Sequence, residues 1–128
     1  MKVSDYLSSE DVAYFTTKND WQGWRLVVGN WLCIAAIFAV VGAWPSPVTL
    51  ILAVVLLATR QLGLSVMMHD CGHRNLFRSK RLNAVVGQWL CALPVMNDQP
   101  SYARGHLQHH AKSGSMDDPD LTNYQAYP

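Results

Sequence analysis

Two short stretches hold all five histidines of this chain. His69 and His73 stand four residues apart in HDCGH, and His106, His109 and His110 form HLQHH. On a helix, residues three or four apart share a face. Each stretch can therefore aim its imidazoles at one point. Neutral imidazole binds iron, copper, zinc and nickel, so ligand type alone does not name a metal. Five imidazoles exceed what one four-coordinate zinc needs. Haem with two axial histidines would leave three unused.

Other readings of these residues fare worse. A lone histidine is usually an ordinary surface or core residue, but that account must cover five of five in two compact sets. HDCGH lacks the glutamate that an HExxH zinc protease uses as general base. Cys71 sits two residues from both His69 and His73, off their shared face. Cys33, Cys71 and Cys91 are an odd, widely spaced set that does not read as a disulfide framework. Cys33 and Cys91 lie in apolar stretches and are expected to be small buried hydrophobes.

The elements that carry the histidines show in the distribution of charge. The chain has 128 residues, a formal net charge of +1 and 50% hydrophobic residues. No Asp, Glu, Lys or Arg occurs in residues 26–59. No basic stripe with interleaved aromatics exists, so a nucleic-acid partner is not expected. The first 24 residues are largely polar and lack the charged start and apolar core of a signal peptide. Ser8, with Asp11 three residues on, predicts the N-terminus of a short helix over 8–17. Val12 and Phe15 share its apolar side.

From Leu26 to Ala43 the sequence is apolar apart from Asn30. At 1.5 Å per residue this run is long enough for roughly 30 Å of hydrocarbon. Trp21 and Trp24 flank one end and Trp44 the other, as an interfacial belt requires. A first membrane span is thus expected over 25–44. WPSP, residues 44–47, is a proline turn. A second span is expected over 48–68. Arg60 interrupts it and must snorkel or pair; its place near the exit end favours snorkelling. Basic residues lie on both sides of this hairpin (Lys2, Lys18 and Arg25 before it; Arg74, Arg78, Lys80 and Arg81 after it) and none lies in the turn. The positive-inside rule then places 1–24 and 69–128, with both histidine stretches, in the cytoplasm. The third apolar run, 84–96, is too short to cross and contains Pro94, so an interfacial or re-entrant helix is expected. The fold class is all-α: an integral membrane helical hairpin plus interfacial helices, with residues 1–128 a single partial domain.

HDCGH and HLQHH resemble the first two histidine boxes, H-x3-H and H-x2-H-H, of the membrane fatty acid desaturase family. The likeness extends to a hairpin before the first box, a short apolar helix between the boxes, and DDPDL (117–121) after the second, covering about Trp24 to Leu121. The resemblance implies a non-haem diiron site, two iron ions held mainly by histidines. His69, His73, His106, His109 and His110 would be its ligands here. It also implies O2 as co-substrate, a lipid acyl chain as substrate, and a redox donor such as cytochrome b5 or a ferredoxin. Asp70, Asp117, Asp118 and Asp120 are candidates for carboxylates that orient a ligand imidazole. The turn-forming Asp-Pro pair is the competing reading for the last three. Gly72 would let helices approach closely, and Arg74, Arg78, Lys80 and Arg81 would set topology or meet anionic headgroups or an acidic electron donor. The membrane would be the plasma membrane in a bacterium or the endoplasmic reticulum in a eukaryote.

The family carries a third box after a further hairpin, whereas no histidine follows His110. The expectation is therefore an N-terminal part of a longer protein, inactive alone. Desaturation leads; hydroxylation of acyl chains or alkanes and carotenoid ketolation use similar boxes. A small membrane protein that binds metal without turnover is the rival class.

Overall fold

The computed structural model describes residues 6–124. Lys2, used above for orientation, lies outside them. The described residues form helices and turns with no strand. Helix α1 spans Ser9–Thr16, and its Ser8 side chain accepts from the Asp11 amide in a reciprocal capping box. Helix α2 spans Asp20–Ala43, with Asn19 as N-cap. Helix α3 spans Pro47–Gly72, with Ser46 as N-cap and Pro47 in the first turn. The WPSP segment is therefore the hairpin turn expected from sequence.

Helices α2 and α3 pack against each other, and both are long and apolar enough to cross a membrane. Their most apolar windows are only 11% and 17% buried. The core helix of a compact water-soluble domain would be mostly buried, so these faces are suited to lipid. Cys33 belongs to such a face. It is exposed, not buried as expected from its apolar neighbours, because α2 touches a partner on one side only.

Asn30 makes two polar contacts with Arg60 across the hairpin, one of them from its Nδ2 to the Arg60 carbonyl at 3.4 Å. Asn30 is buried at the α2–α3 interface and lies 3.5 Å from the Arg60 guanidinium. Arg60 also donates to Thr59. Of the two expected ways to meet its cost, snorkelling or pairing, Arg60 thus uses pairing across the hairpin at least in part.

After α3 the chain turns sharply. Arg74 adopts a left-handed backbone with φ of 57°, and Lys18 Nζ donates to its carbonyl at 2.7 Å. Helix α4 spans Lys80–Val86 and continues as a π-helical stretch, Gly87–Ala92, and a 3₁₀ turn, Leu93–Val95. The third apolar run therefore begins earlier than residue 84 and is not one regular helix. Pro94 lacks an amide hydrogen, which suits the break. Trp31 Nε1 of α2 donates to the Leu90 carbonyl at 3.1 Å, tying this segment to the hairpin. A Cβ on Gly87 would come within 2.7 Å of the Cys71 Cβ, so only glycine permits the π-helical stretch to lie this close to α3. Phe77, Leu64, Val27, Cys71 and Cys91 form the buried core where these elements meet. Helix α5, Gln99–Lys112, packs on the end of α3, and α6 spans Leu121–Tyr124.

Candidate metal centre

The end of α3 and the C-terminal half of α5 carry the histidines to one place. Helix α3 runs past the second apolar stretch, so that His69 lies in its last turn and His73 is its C-cap. Asp98 caps α5, accepting from the Ser101 amide at 2.9 Å, and sets the register of HLQHH. Gly72 faces Ala103: a Cβ on Gly72 would stand 3.4 Å from the Ala103 Cβ. This close approach, expected for Gly72, lets the two helices bring their histidines together.

The ligand atoms of His69, His73, His106 and His110 all lie within 4.8 Å of one another. His106 Nε2 is 3.0 Å from His73 Nε2 and 3.0 Å from His110 Nε2. Two nitrogens at roughly 2.1 Å from one ion and at a right angle stand about 3.0 Å apart, so the donor set fits a bound metal ion. Tyr102, one turn before His106, stacks on its ring at a centroid distance of 5.2 Å and an interplanar angle of 12°. The role of Tyr102 was not read from the sequence, although its i, i+4 spacing to His106 was the available signal.

His109 stands beside this group but is not one of the four. Its Nδ1 lies 2.8 Å from Asp118 Oδ1, and the Asp118 side chain is fully buried. Asp118 also accepts from the Gly114 and Asp120 amides, at 3.2 and 2.9 Å. With Nδ1 so occupied, Nε2 is the nitrogen left for a ligand. Of the other acidic candidates, Asp70 lies 3.0 Å from His69 Nδ1 and Asp120 lies 3.7 Å from His109 Nδ1. Asp117 is exposed and instead pairs with Lys112 at 3.6 Å. Its neighbour Asp118 takes the buried position, where His109 and two backbone amides meet its carboxylate.

Electrostatics separate the histidines. Burial, then the charges of His69 and His110, push the His73 imidazole below its ordinary pKa. His106 is lowered by burial first and then by His69, His110, His73 and His109. Both shifts favour the neutral imidazole, the form that binds metal. His109 moves the other way, raised chiefly by its hydrogen bond to Asp118. Cys71 is buried in the core rather than directed at the imidazoles.

Comparison with known proteins identifies the family. The family model described as fatty acid desaturase matches residues 45–128. Over 77 residues the chain is 35% identical to a dihydrorhizobitoxine desaturase of Bradyrhizobium elkanii, covering 59% of this chain and 22% of that protein. Over 90 residues it is 34% identical to an sn-1 oleoyl-lipid 12-desaturase of Picosynechococcus, covering 66% and 26%. A Delta(12) fatty acid desaturase of Mortierella alpina is 35% identical over 54 residues, 42% of this chain and 13% of that protein. The chain thus spans about a quarter or less of the curated relatives it matches. No solved structure matches. With the family model covering both histidine stretches and the helix that joins them, the chain belongs to the fatty acid desaturase family.

Proposed function

We propose that this chain supplies the first two histidine boxes of an O2-dependent, membrane-bound non-haem diiron desaturase acting on the acyl chain of a lipid. The observation that carries this reading is the convergence of His69, His73, His106 and His110 at the end of an apolar hairpin. When bound, an iron pair would supply the oxidising power needed to remove hydrogen from an unactivated methylene. His69, His73, His106 and His110 would hold iron directly, and His109 would do so through the Nε2 that Asp118 leaves available. Asp70 would hold the His69 ring in the same way. Burial and the neighbouring imidazoles lower the pKa of His73 and His106, which favours the neutral form that ligates metal. Helices α2 and α3 would seat the protein in the bilayer with the histidines on the cytoplasmic side, near acyl chains entering from the membrane. Five imidazoles do not complete a diiron site of this family, so turnover would need ligands beyond those carried here. Electrons would come from a donor such as ferredoxin or cytochrome b5; one curated relative is a Synechocystis "omega-3 desaturase (ferredoxin)".

The test is to express the full reading frame containing this chain in a host lacking the activity. Fatty acid profiles and iron per chain would be measured together. New double bonds in membrane lipids, with iron bound, are the expected result. His69→Ala or His106→Ala should abolish the product and lower bound iron while membrane insertion persists. Unchanged product and iron in either variant would refute the ligand assignment. Hydroxylated acyl chains or oxidised carotenoids in place of new double bonds would redirect the reading to the related reactions.

A further inference from the structure

A concavity with a largely apolar floor and cationic side chains around it lies beside the histidine group. The end of α3, the start of α4 and α5 enclose about 350 Å³. Three cationic side chains from three segments line it: Arg74 just after α3, Lys80 at the start of α4, and Arg104 on α5. Neither an acidic residue nor any of the five histidines lines it. All three cations are exposed, and among the described residues none is in an ion pair. Asp98 feels the charge of Arg104, after its stronger hydrogen bonds to Ser101, but it does not line the cavity.

The fold holds these charges at the cavity. The left-handed backbone of Arg74 is unfavourable for a residue with a side chain, and it persists where surrounding contacts fix it. Lys18 supplies one such contact through the Arg74 carbonyl. Asn83 fixes the start of α4 through bonds to Phe77 and Ser79, which positions Lys80. Arg104 donates to Ser101 Oγ at 2.8 Å with one terminal nitrogen, and a guanidinium carries five N–H donors. Three like charges around one concavity repel, and an anion placed among them removes that repulsion. Two guanidinium groups and an ammonium match the oxygens of a phosphate group. Leu107, Ala84 and Ala103 give the cavity an apolar side suited to carbon attached to that group.

We propose that this cavity is a phosphate-binding site formed by Arg74, Lys80 and Arg104. The phosphate can belong to a lipid headgroup or be free in solution. Only the choice of the lipid source rests on the membrane placement proposed above; the charge argument does not.

The chain is placed in nanodiscs of phosphatidylcholine containing a minor fraction of phosphatidylglycerol, then transferred to detergent. Retained phospholipid is counted by native mass spectrometry, bound iron is measured on the same samples, and inorganic phosphate is titrated calorimetrically. Phosphatidylglycerol retained in preference to phosphatidylcholine is expected. Lys80→Ala with Arg104→Ala should lower retention by at least about tenfold, as loss of two charge-assisted contacts implies. Arg25→Ala with Arg81→Ala makes the same change in net charge away from the cavity and should leave retention intact. Lys80→Arg with Arg104→Lys should also keep it, which separates lost charge from a damaged fold. Inorganic phosphate that binds and displaces the lipid would identify the phosphate group alone as the ligand. Lipid retention without phosphate binding would identify the headgroup. Equal loss in both alanine pairs would overturn the site, as would no loss in either, or binding of an acidic protein such as ferredoxin with no phosphate or lipid binding. Iron content unchanged in the Lys80/Arg104 variant keeps this outcome distinct from that of the metal centre.

Discussion

His109 and Asp118 show how much one buried carboxylate can decide. Asp118 is the only one of the three acids in DDPDL whose side chain is fully buried, and it holds Nδ1 of His109 at 2.8 Å. Replacing it with asparagine keeps the size but removes the charge. Asp118→Asn should weaken metal binding by about 10–100-fold, the usual cost of losing a group that orients a ligand histidine. Asp117→Asn should leave it nearly unchanged, since Asp117 pairs with Lys112 instead. A competition titration with a chelator would measure both. The metal-free chain offers a second reading. Asp118 raises the His109 pKa by favouring the imidazolium. In Asp118→Asn the midpoint of His109 protonation, followed by NMR, should therefore move to lower pH. A midpoint that stays put, with unchanged metal affinity, would remove Asp118 from this role.

At the scale of elements, the π-helical stretch packs the segment between the two histidine stretches onto the hairpin, next to the candidate metal centre. It lies against α3 at Cys71, midway between His69 and His73, and Trp31 ties it to α2. Gly87→Ala inserts a methyl group where the Cys71 Cβ already sits 2.7 Å from the position it would take. Overpacking of this kind costs about 1–3 kcal/mol. A lower unfolding temperature in detergent is expected, together with weaker metal binding as the last turn of α3 shifts. Cys71→Ala removes a buried side chain on the same contact but leaves the histidine faces untouched, so its effect should fall on stability more than on metal. Equal stability of Gly87→Ala and the parent chain would show that the two helices can separate at no cost.

For the whole molecule, the sidedness of the membrane arrangement is the property to test. The turn between α2 and α3 has no basic residue, while Arg74, Arg78, Lys80 and Arg81 follow α3 closely. In a background with Cys33 replaced by alanine, a cysteine introduced at Pro45 should react with an impermeant maleimide in intact cells. One introduced at Ser115 should react only after permeabilisation. Reaction of both, or the reverse pattern, would overturn the proposed topology. Cys71 and Cys91 are buried and should stay silent in either case.

The sequence by itself determined the features that depend on local pattern. The apolar lengths of residues 26–43 and 48–59 set the hairpin, and Ser8, Asn19, Ser46 and Asp98 set where helices begin. The histidine spacings 69/73 and 106/110 set which imidazoles share a face. These follow from helix geometry within one element, so they need no knowledge of neighbours. Tertiary structure alone decided what lies between elements. It brought His69 and His73 to His106 and His110 across the Gly72–Ala103 contact, and it set His109 slightly apart on Asp118. It chose Asp118 over Asp117, turned Arg60 toward Asn30, and left Cys33 exposed where an apolar sequence suggested burial. The physical reason is common to all of these. Composition and period say that a side chain is apolar, charged or able to bind metal, but its partner is fixed only when two distant segments are packed together.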